Sequence, residues 1–479
     1  MYADATYSSS AGARTALFFL ALMTLIAAYA VVFAAGPIAQ SHGDLRTQGL
    51  IVVLIVGLAG ILFSLFIKPA HRSNASLEII ILLVPAYALL QVTPLPLGVI
   101  RILSPARARL VPALSPVMAT PTWVTLSVTP SATLYHFLLL AASAVVFLVI
   151  LNVSNRVSCR PWVVILPLIL IAVGEAILGL AQIAGNPDGI AVGTFLIRNH
   201  YAGFLEMILP FVALYPFAVL ASREEGTRNE IAPALLVCGG VGVSVLLTAG
   251  ILSSLSRMGF IASLVSMMFV SIAAVSPGRS RRRISLIFAG VVVAGLLAFF
   301  LIPSARLVMR FGEMDKSNED RSPVWRETIG LFKAYPIFGC GLGGYESAFL
   351  KFKNSNPALN QDYAHNDYLQ YLAELGIVGF LLAIAPVAFI LVRLRNACRQ
   401  TRADMRWLSL GCAGSAAAIG LHSFVDFNLY VPANLITLAW ILGIAAHAGR
   451  AASRDTSLAI EPASIIAAPV KAVRSRSYP

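Results

Sequence analysis

Charge is what this chain lacks. Only 12% of its 479 residues are Asp, Glu, Lys or Arg, about half the ~25% of an ordinary soluble domain. Apolar residues make up 58%, and the mean hydropathy is +0.82. Such a composition reads as an integral membrane protein, because ~20 consecutive apolar residues cross the hydrocarbon as a helix. Open sheets are excluded there, since their backbone groups would go unpaired. Paired cysteines are missing too. Cys159, Cys238, Cys340, Cys398 and Cys412 show no C-x-x-C and no metal-ligand spacing, which argues against a disulfide framework. D-x-D, H-E-x-x-H and G-x-S-x-G are also absent, so metal-dependent transfer and serine hydrolysis lack their usual signatures. No metal and no cofactor is expected.

What is present is a series of apolar runs. Twelve spans are predicted, at roughly 15–35, 49–67, 77–97, 132–152, 161–185, 200–220, 231–252, 258–276, 284–303, 368–392, 407–426 and 434–449. The first is read as a span rather than a cleaved signal peptide, because its apolar core is long for one. The fold class is therefore an all-α polytopic membrane protein. It divides into spans one to four (1–152), spans five to nine (153–303), a long loop (304–367), spans ten to twelve (368–449) and a tail (450–479) expected to be disordered.

Lys and Arg in short loops set the orientation. With the N-terminus inside, 21 of the 35 fall on the inner side, including the runs "GRSRRR" and "RLRNACRQTR". The short outer loops carry only Arg46, Arg101, Arg107, Arg109, Arg198 and Arg257. Both termini are expected in the cytoplasm and the long loop outside. The +13 net charge is thus a topology signal and not a nucleic-acid footprint.

Two outer segments have their own pattern. "PTWVTLSVTP" alternates like a short strand or interfacial segment. "SPVWRETIGLFKAYP" has Ser322 placed as an N-cap, Pro323 at the first helical position and Pro336 as a stop. Its apolar residues recur at helical spacing, which predicts an amphipathic helix on the outer membrane face.

Polar groups within apolar runs are costly and tend to mark function. "LIRNHYAGFLEM" places Arg198, Asn199 and His200 at the outer start of span six, with Glu206 deeper. "SSLSRMGF" puts Arg257 in a short outer turn, and "LHSFVDFNLYVPAN" puts His422 and Asp426 at the outer end of span eleven. "QDYAHNDYLQYLAELG" places His365, Asn366 and Asp367 at the outer start of span ten. Each has a plain alternative. A lone arginine at a helix end snorkels to headgroups, Asp367 with Gln370 resembles a capping box, and His422 fits a satisfied core histidine. Four segments converging on one face make coincidence the weaker account. Glu175, in mid-span, fits either a buried hydrogen bond or an ion site, and Glu374 has no assigned role. "GCGLGG" matches G-x-G-x-x-G but lacks the strand and helix that give it nucleotide-binding meaning; it reads as a tight glycine turn.

Outward arginines and a histidine without a metal suit a lipid diphosphate. Arginine forks pair with phosphate oxygens and stabilise a departing diphosphate. A histidine near its neutral pKa can then activate an acceptor hydroxyl. The segments "RNHYAGFLEMILP", "SRMGF", "RSPVWRETIGLFKAYPIFGCGLGGYESAF", "AHNDYLQYLAELGIVG" and "HSFVDFNLYVPAN" together resemble the O-antigen ligase and polymerase family of bacterial envelope enzymes, over roughly residues 190–445. The resemblance implies a glycosyltransferase of the bacterial inner membrane, active on the periplasmic side, that moves glycans from undecaprenyl diphosphate to an acceptor such as a lipid A-core or another glycan. No nucleic-acid partner is implied. It implies His365 as the catalytic histidine, Arg198 and Arg257 as diphosphate contacts, and Arg321 and Arg326 as loop arginines closing over donor or acceptor. Asn199, His200, Asn366, Asp367 and Asp426 take supporting roles. Two alternatives stand beside ligation: a polymerase extending a lipid-linked repeat, and an anion transporter of the bicarbonate type.

Overall fold

The computed structural model describes residues 43–65, 75–113, 116, 119–221, 231–274, 321–355, 361–399 and 402–460. The spans expected at 15–35 and 284–303 lie outside these residues, as does the inner arginine run at 279–283. In chain order come α1 (Gly43–Leu65), α2 (Ala75–Val92), β1 (Leu95–Pro96), α3 (Leu97–Leu103), α4 (Pro105–Ala113) and β2 (Trp123–Val124). α5 (Pro130–Arg156), α6 (Leu166–Gly185), α7 (Arg198–Ala221), α8 (Ile231–Ser253) and α9 (Arg257–Ala274) follow. The remainder is α10 (Ser322–Ala334), α11 (Tyr345–Phe349), α12 (Asp367–Ala397), α13 (Ala403–His422) and α14 (Pro432–Ile460).

The ten expected spans within the described residues each coincide with a helix. Among the described residues, seven helices are long and apolar enough to cross a membrane: α5, α6, α7, α8, α9, α12 and α14. α1 and α2 hold shorter apolar stretches. α13 carries Asp404 and Arg406 in its first turn. The expected alternation near residue 123 is a two-stranded antiparallel pair, with Leu95 opposite Val124. α14 runs past residue 449, so the stretch expected as a tail begins as helix.

α7 is the central helix. It packs against α6, α8, α9, α13 and α14, and beyond its first turn Glu206 is its one charged residue, as a helix enclosed on every side requires. Small residues let α13 approach closely. Ser415 donates to the Met207 carbonyl, and Ser266 on α9 donates to the Gly414 carbonyl at 2.7 Å. A side chain at Gly411 would meet the Phe211 ring. At the other end, buried Arg406 donates to Ala274 O (2.6 Å) and Cys398 O (3.2 Å). It therefore satisfies carbonyls left over at the ends of α9 and α12, a structural duty beyond the topology signal.

Two local expectations shift by one residue or change partner. α10 starts at Ser322 with Arg321 in the N-cap position and no capping side chain; Ser322 is not the cap, although Pro323 sits in the first turn as expected. Part of the apolar face of α10 packs inward, while Ile329 stays exposed. Thr328, Leu331 and Tyr335 bury against Tyr345, Phe349, Ala364 and Ala373, and Trp325 Nε1 donates to Ala364 O at 3.0 Å. The described part of the long loop thus folds onto the head of α12.

α12 is broken at Gly376, where φ is 64° and ψ −177°, a conformation that only glycine adopts readily. The segment 336–344 lies in the break. Cys340 N and Gly341 N donate to Ala373 O and Glu374 O, each at 3.0 Å. In return, Ile377 N and Val378 N donate to Pro336 O (2.9 Å) and Ile337 O (3.2 Å). Tyr87 Oη and Gln91 Nε2 on α2 complete the set, donating to Leu375 O (2.8 Å) and Glu374 O (2.9 Å). The glycine turn is real and its positive φ angles (76° at Gly339, 105° at Gly341, 74° at Gly343) serve this docking. A side chain at Gly339 would strike the Glu374 carbonyl.

Candidate active site

The site lies where α7, α9, α12 and α13 present one end. Asn366 is the N-cap of α12, its side chain accepting from Leu369 N at 3.0 Å. The capping role expected of Asp367 therefore belongs to its neighbour, and Asp367 is free for a different task. Its carboxylate is fully buried and accepts from Ser423 Oγ (2.7 Å) and Leu429 N (3.2 Å). Its backbone N–H reaches Ser423 O (2.9 Å). Asp367 bolts the start of α12 to the connection after α13. Gln370 does reach back as a capping partner would, but to Ala364 N at 2.9 Å.

These bolts fix His365, which is half-buried and has φ 50°. A non-glycine residue in that region is strained, and such strain gathers at functional sites. Among the described residues the other one is Leu255, two positions before Arg257. Both strained residues thus adjoin expected site residues.

Asp426, in the turn after α13, is the hub. His365 Nδ1 lies 3.4 Å from Asp426 Oδ1, at the long end of hydrogen-bond range. His200 Nε2 is 3.9 Å from the same oxygen, and His422 Nε2 is 3.9 Å from Oδ2. Phe427 N donates to Oδ1 at 2.9 Å. Burial alone would raise this carboxyl, but the His365 hydrogen bond and the charges of His200, His422 and Arg321 hold it well below the usual carboxylate range. Behind the hub, His422 Nδ1 sits 3.0 and 3.1 Å from the two oxygens of Glu206. Glu206 and His422 are fully buried.

An aromatic wall holds the imidazoles apart. Phe427 stacks on Tyr363 with centroids 3.9 Å apart and meets His200 and His365 edge-on at 4.6 and 5.0 Å. Asn434 Nδ2 donates to His200 O (3.1 Å) and Asn428 Oδ1 (2.9 Å), which pins α14 to the first turn of α7. Asn199 is half-buried on that turn, between Arg198 and His200.

The four expected arginines differ in burial. Arg198 and Arg257 are half-buried at the first residues of α7 and α9. The two starts share one end, because a side chain at Gly259 would meet Ala202. Glu175 fixes the approach to Arg198: its carboxylate accepts from Thr194 N (2.9 Å) and Thr194 Oγ1 (2.6 Å). Of its two readings, the buried hydrogen bond is the one observed. Arg321 is half-buried and close enough to act on Asp426 electrostatically. Arg326 is exposed on α10, its Nε 3.5 Å from Ser322 O.

Sequence reading missed several members. Glu374 accepts from Gly343 N (2.7 Å), Tyr345 N (3.1 Å) and Tyr430 Oη (2.6 Å), clamping the glycine turn and the start of α11. The Glu206–His422 pair and the Phe427 wall were also unassigned. The closeness of His422 and Asp426 in the sequence, at the end of one expected span, was the one available signal. Among the described residues no group of three His, Cys, Asp or Glu is arranged to hold a metal. The cluster is a charge and hydrogen-bond network around an accessible imidazole.

Residues 242–384 match the family model described as O-antigen ligase. The chain carries an O-antigen ligase domain. The matched span includes Arg257, Arg321, Arg326 and His365, whereas Arg198, His200 and Asp426 lie outside it and join through the fold. The match supports a membrane protein similar to the ligase and polymerase-like glycosyltransferases, a family whose members act on lipid-linked glycans. No curated protein matches the chain.

Proposed function

We propose that this protein transfers a glycan from undecaprenyl diphosphate to an acceptor hydroxyl on the periplasmic side, in lipopolysaccharide or exopolysaccharide assembly. The carrying observation is the accessible His365 imidazole, strained in backbone and facing Asp426 at 3.4 Å. With Nδ1–H directed at Asp426, Nε2 is left as the proton acceptor. The acceptor oxygen attacks the anomeric carbon as His365 Nε2 takes its proton. The bond from that carbon to the diphosphate breaks, and the lipid diphosphate leaves with the electron pair. Arg198 and Arg257, each at a helix start, suit the diphosphate, because the positive end of the helix dipole adds to the guanidinium charge. Arg321 and Arg326 are the candidates for contacts to the sugar chain or its acceptor. The reaction needs no nucleotide, since the diphosphate is already a competent leaving group.

The test is deletion of the gene followed by analysis of envelope glycans, with complementation by His365→Ala and Arg257→Lys. Accumulation of a lipid-linked saccharide in the deletion, uncorrected by either variant at normal expression, is expected. Arg257→Lys keeps the charge but loses the bidentate fork. The saccharide's length distribution separates ligation from polymerisation. Unchanged glycans with impaired anion uptake would replace transfer with transport.

A further inference from the structure

We propose that Glu206 and His422 form a buried positioning pair that holds a cationic imidazole beside Asp426 and thereby sets the pH range over which His365 accepts a proton. The inference rests on His365 being the base of the transfer reaction proposed above, and it concerns residues that never touch the substrate.

The geometry is a chain of alternating groups. His365 Nδ1 faces Asp426 Oδ1 (3.4 Å), Asp426 Oδ2 faces His422 Nε2 (3.9 Å), and His422 Nδ1 faces both Glu206 oxygens (3.0 and 3.1 Å). His422 therefore has a carboxylate at each ring nitrogen. A neutral imidazole offers one N–H and one lone pair, and the lone pair would point at a carboxylate. An imidazolium offers two N–H groups and meets both. Neither His422 Nε2 nor Asp426 Oδ2 has a hydrogen-bond partner, and the two atoms face each other at 3.9 Å. A buried carboxylate is costly unless compensated; His365 and Phe427 N serve Asp426 Oδ1, and a His422 imidazolium would serve Oδ2.

The surroundings leave few competing charges. α7 presents His200 as well as Glu206. His365 and Asp367 lie at the head of α12, and Arg321 precedes α10. Between residues 231 and 253, α8 has no Asp, Glu, His, Lys or Arg, and α9 has only Arg257. The half of α14 nearest the site, 432–446, has none.

The signs of the consequences differ along the chain. Removing the Asp426 charge takes a negative group from beside His365, so His365 should lose its proton at lower pH. Neutralising Glu206 removes what holds the proton on His422. The cation adjoining Asp426 is then lost together with the more distant anion, and His365 should keep its proton to higher pH. A residue that only packs would not produce opposite shifts.

The experiment uses the full-length protein in detergent or nanodiscs and diethyl pyrocarbonate, which acylates neutral imidazole. The rate at the His365 peptide is followed by mass spectrometry from about pH 5 to about pH 8, the range in which histidine titrates. Glu206→Gln is expected to raise the midpoint by about half a unit, a roughly threefold slowing below it, and Asp426→Asn to lower it by about one unit. Glu206→Asp should return the midpoint toward the parent's value. The double variant Glu206→Gln/His422→Asn keeps a hydrogen-bonded neutral pair, and covers the case in which Glu206→Gln alone fails to fold; it should shift upward likewise. A midpoint within about 0.2 unit of the parent in the neutral-pair variants, while Asp426→Asn moves it, would overturn the coupling. The readout needs no glycan donor. A transfer-competent His365→Ala would sink the proposed function without touching these shifts, and unmoved midpoints would sink the coupling alone.

Discussion

Glu374 offers the sharpest test of how the site is supported. Replacing it with alanine removes the acceptor for Gly343 N (2.7 Å), Tyr345 N (3.1 Å), Tyr430 Oη (2.6 Å) and, more weakly, Gln370 Nε2 (3.4 Å). The carboxylate is fully buried, and the helix break beside it leaves little room for replacement partners. A buried donor left unpaired costs about 1–3 kcal/mol. Three such donors give about 3–9 kcal/mol, felt first as local opening of the glycine turn. By the relation of 1.4 kcal/mol to a factor of ten, the lower figure speeds exchange of those amides about 100-fold. Hydrogen exchange read at Gly343 and Tyr345, with the middle of α7 as an internal control, measures this. Glu374→Gln keeps one acceptor and should fall between. Exchange at both amides within about threefold of the parent would refute the idea that this carboxylate holds the turn in place.

Two further outcomes follow from titration and burial. Asp426 is held below the usual carboxylate range, so its contribution to stability is complete above the unfolded value of about 3.9 and fades as pH falls toward the lower folded value. Asp426→Asn should therefore lower the melting temperature at neutral pH, with the gap closing below about pH 4; a gap that persists there would remove the charge from the explanation. Cys340 is buried in the glycine turn, where burial and the neighbouring Glu374 carboxylate push its thiol up, whereas Cys159 is exposed. A maleimide should label Cys159 far ahead of Cys340, and comparable rates would contradict the docking of the turn into the helix break.

The convergence of polar groups was legible because it follows from counting. Once the spans alternate sides, "RNHY", "SRMG", "AHND" and "HSFVD" must share an end. The strand near residue 123 was legible from its alternation, and α10 from its spacing and prolines. What failed was resolution to a single residue. Asn366 and Asp367 are both good N-caps, and a start one residue earlier than assumed decides between them. Ser322 lost its role in the same way. The break in α12 was hidden because "YLAELGIVGFLLAI" reads as uninterrupted helix, and nothing local announces that 336–344 will supply its missing hydrogen bonds. Glu206 and His422 stand out as buried polar residues, but their pairing joins positions 216 apart and no periodicity reports it.

The break also explains how a precise site can sit on a lipid-facing helix. Beyond Gly376, α12 exposes Ile377, Val378, Leu381, Leu391 and Val392, a surface suited to a fluid surrounding. Before it, residues 367–375 are tied on every side: Asp367 to the turn after α13, Gln370 to Ala364, Glu374 to the glycine turn and Tyr430, and the Leu375 carbonyl to Tyr87. At the break, the N–H groups of Ile377 and Val378 donate out of the helix to Pro336 O and Ile337 O. The two halves of α12 are therefore tied to each other through the glycine turn as well as through the chain. A site that must hold an imidazole within hydrogen-bond reach of a carboxylate gains from resting on rigid, cross-tied elements. The polar cluster ahead of an apolar run is in this sense a separate short helix, anchored to its neighbours before the membrane-spanning part begins.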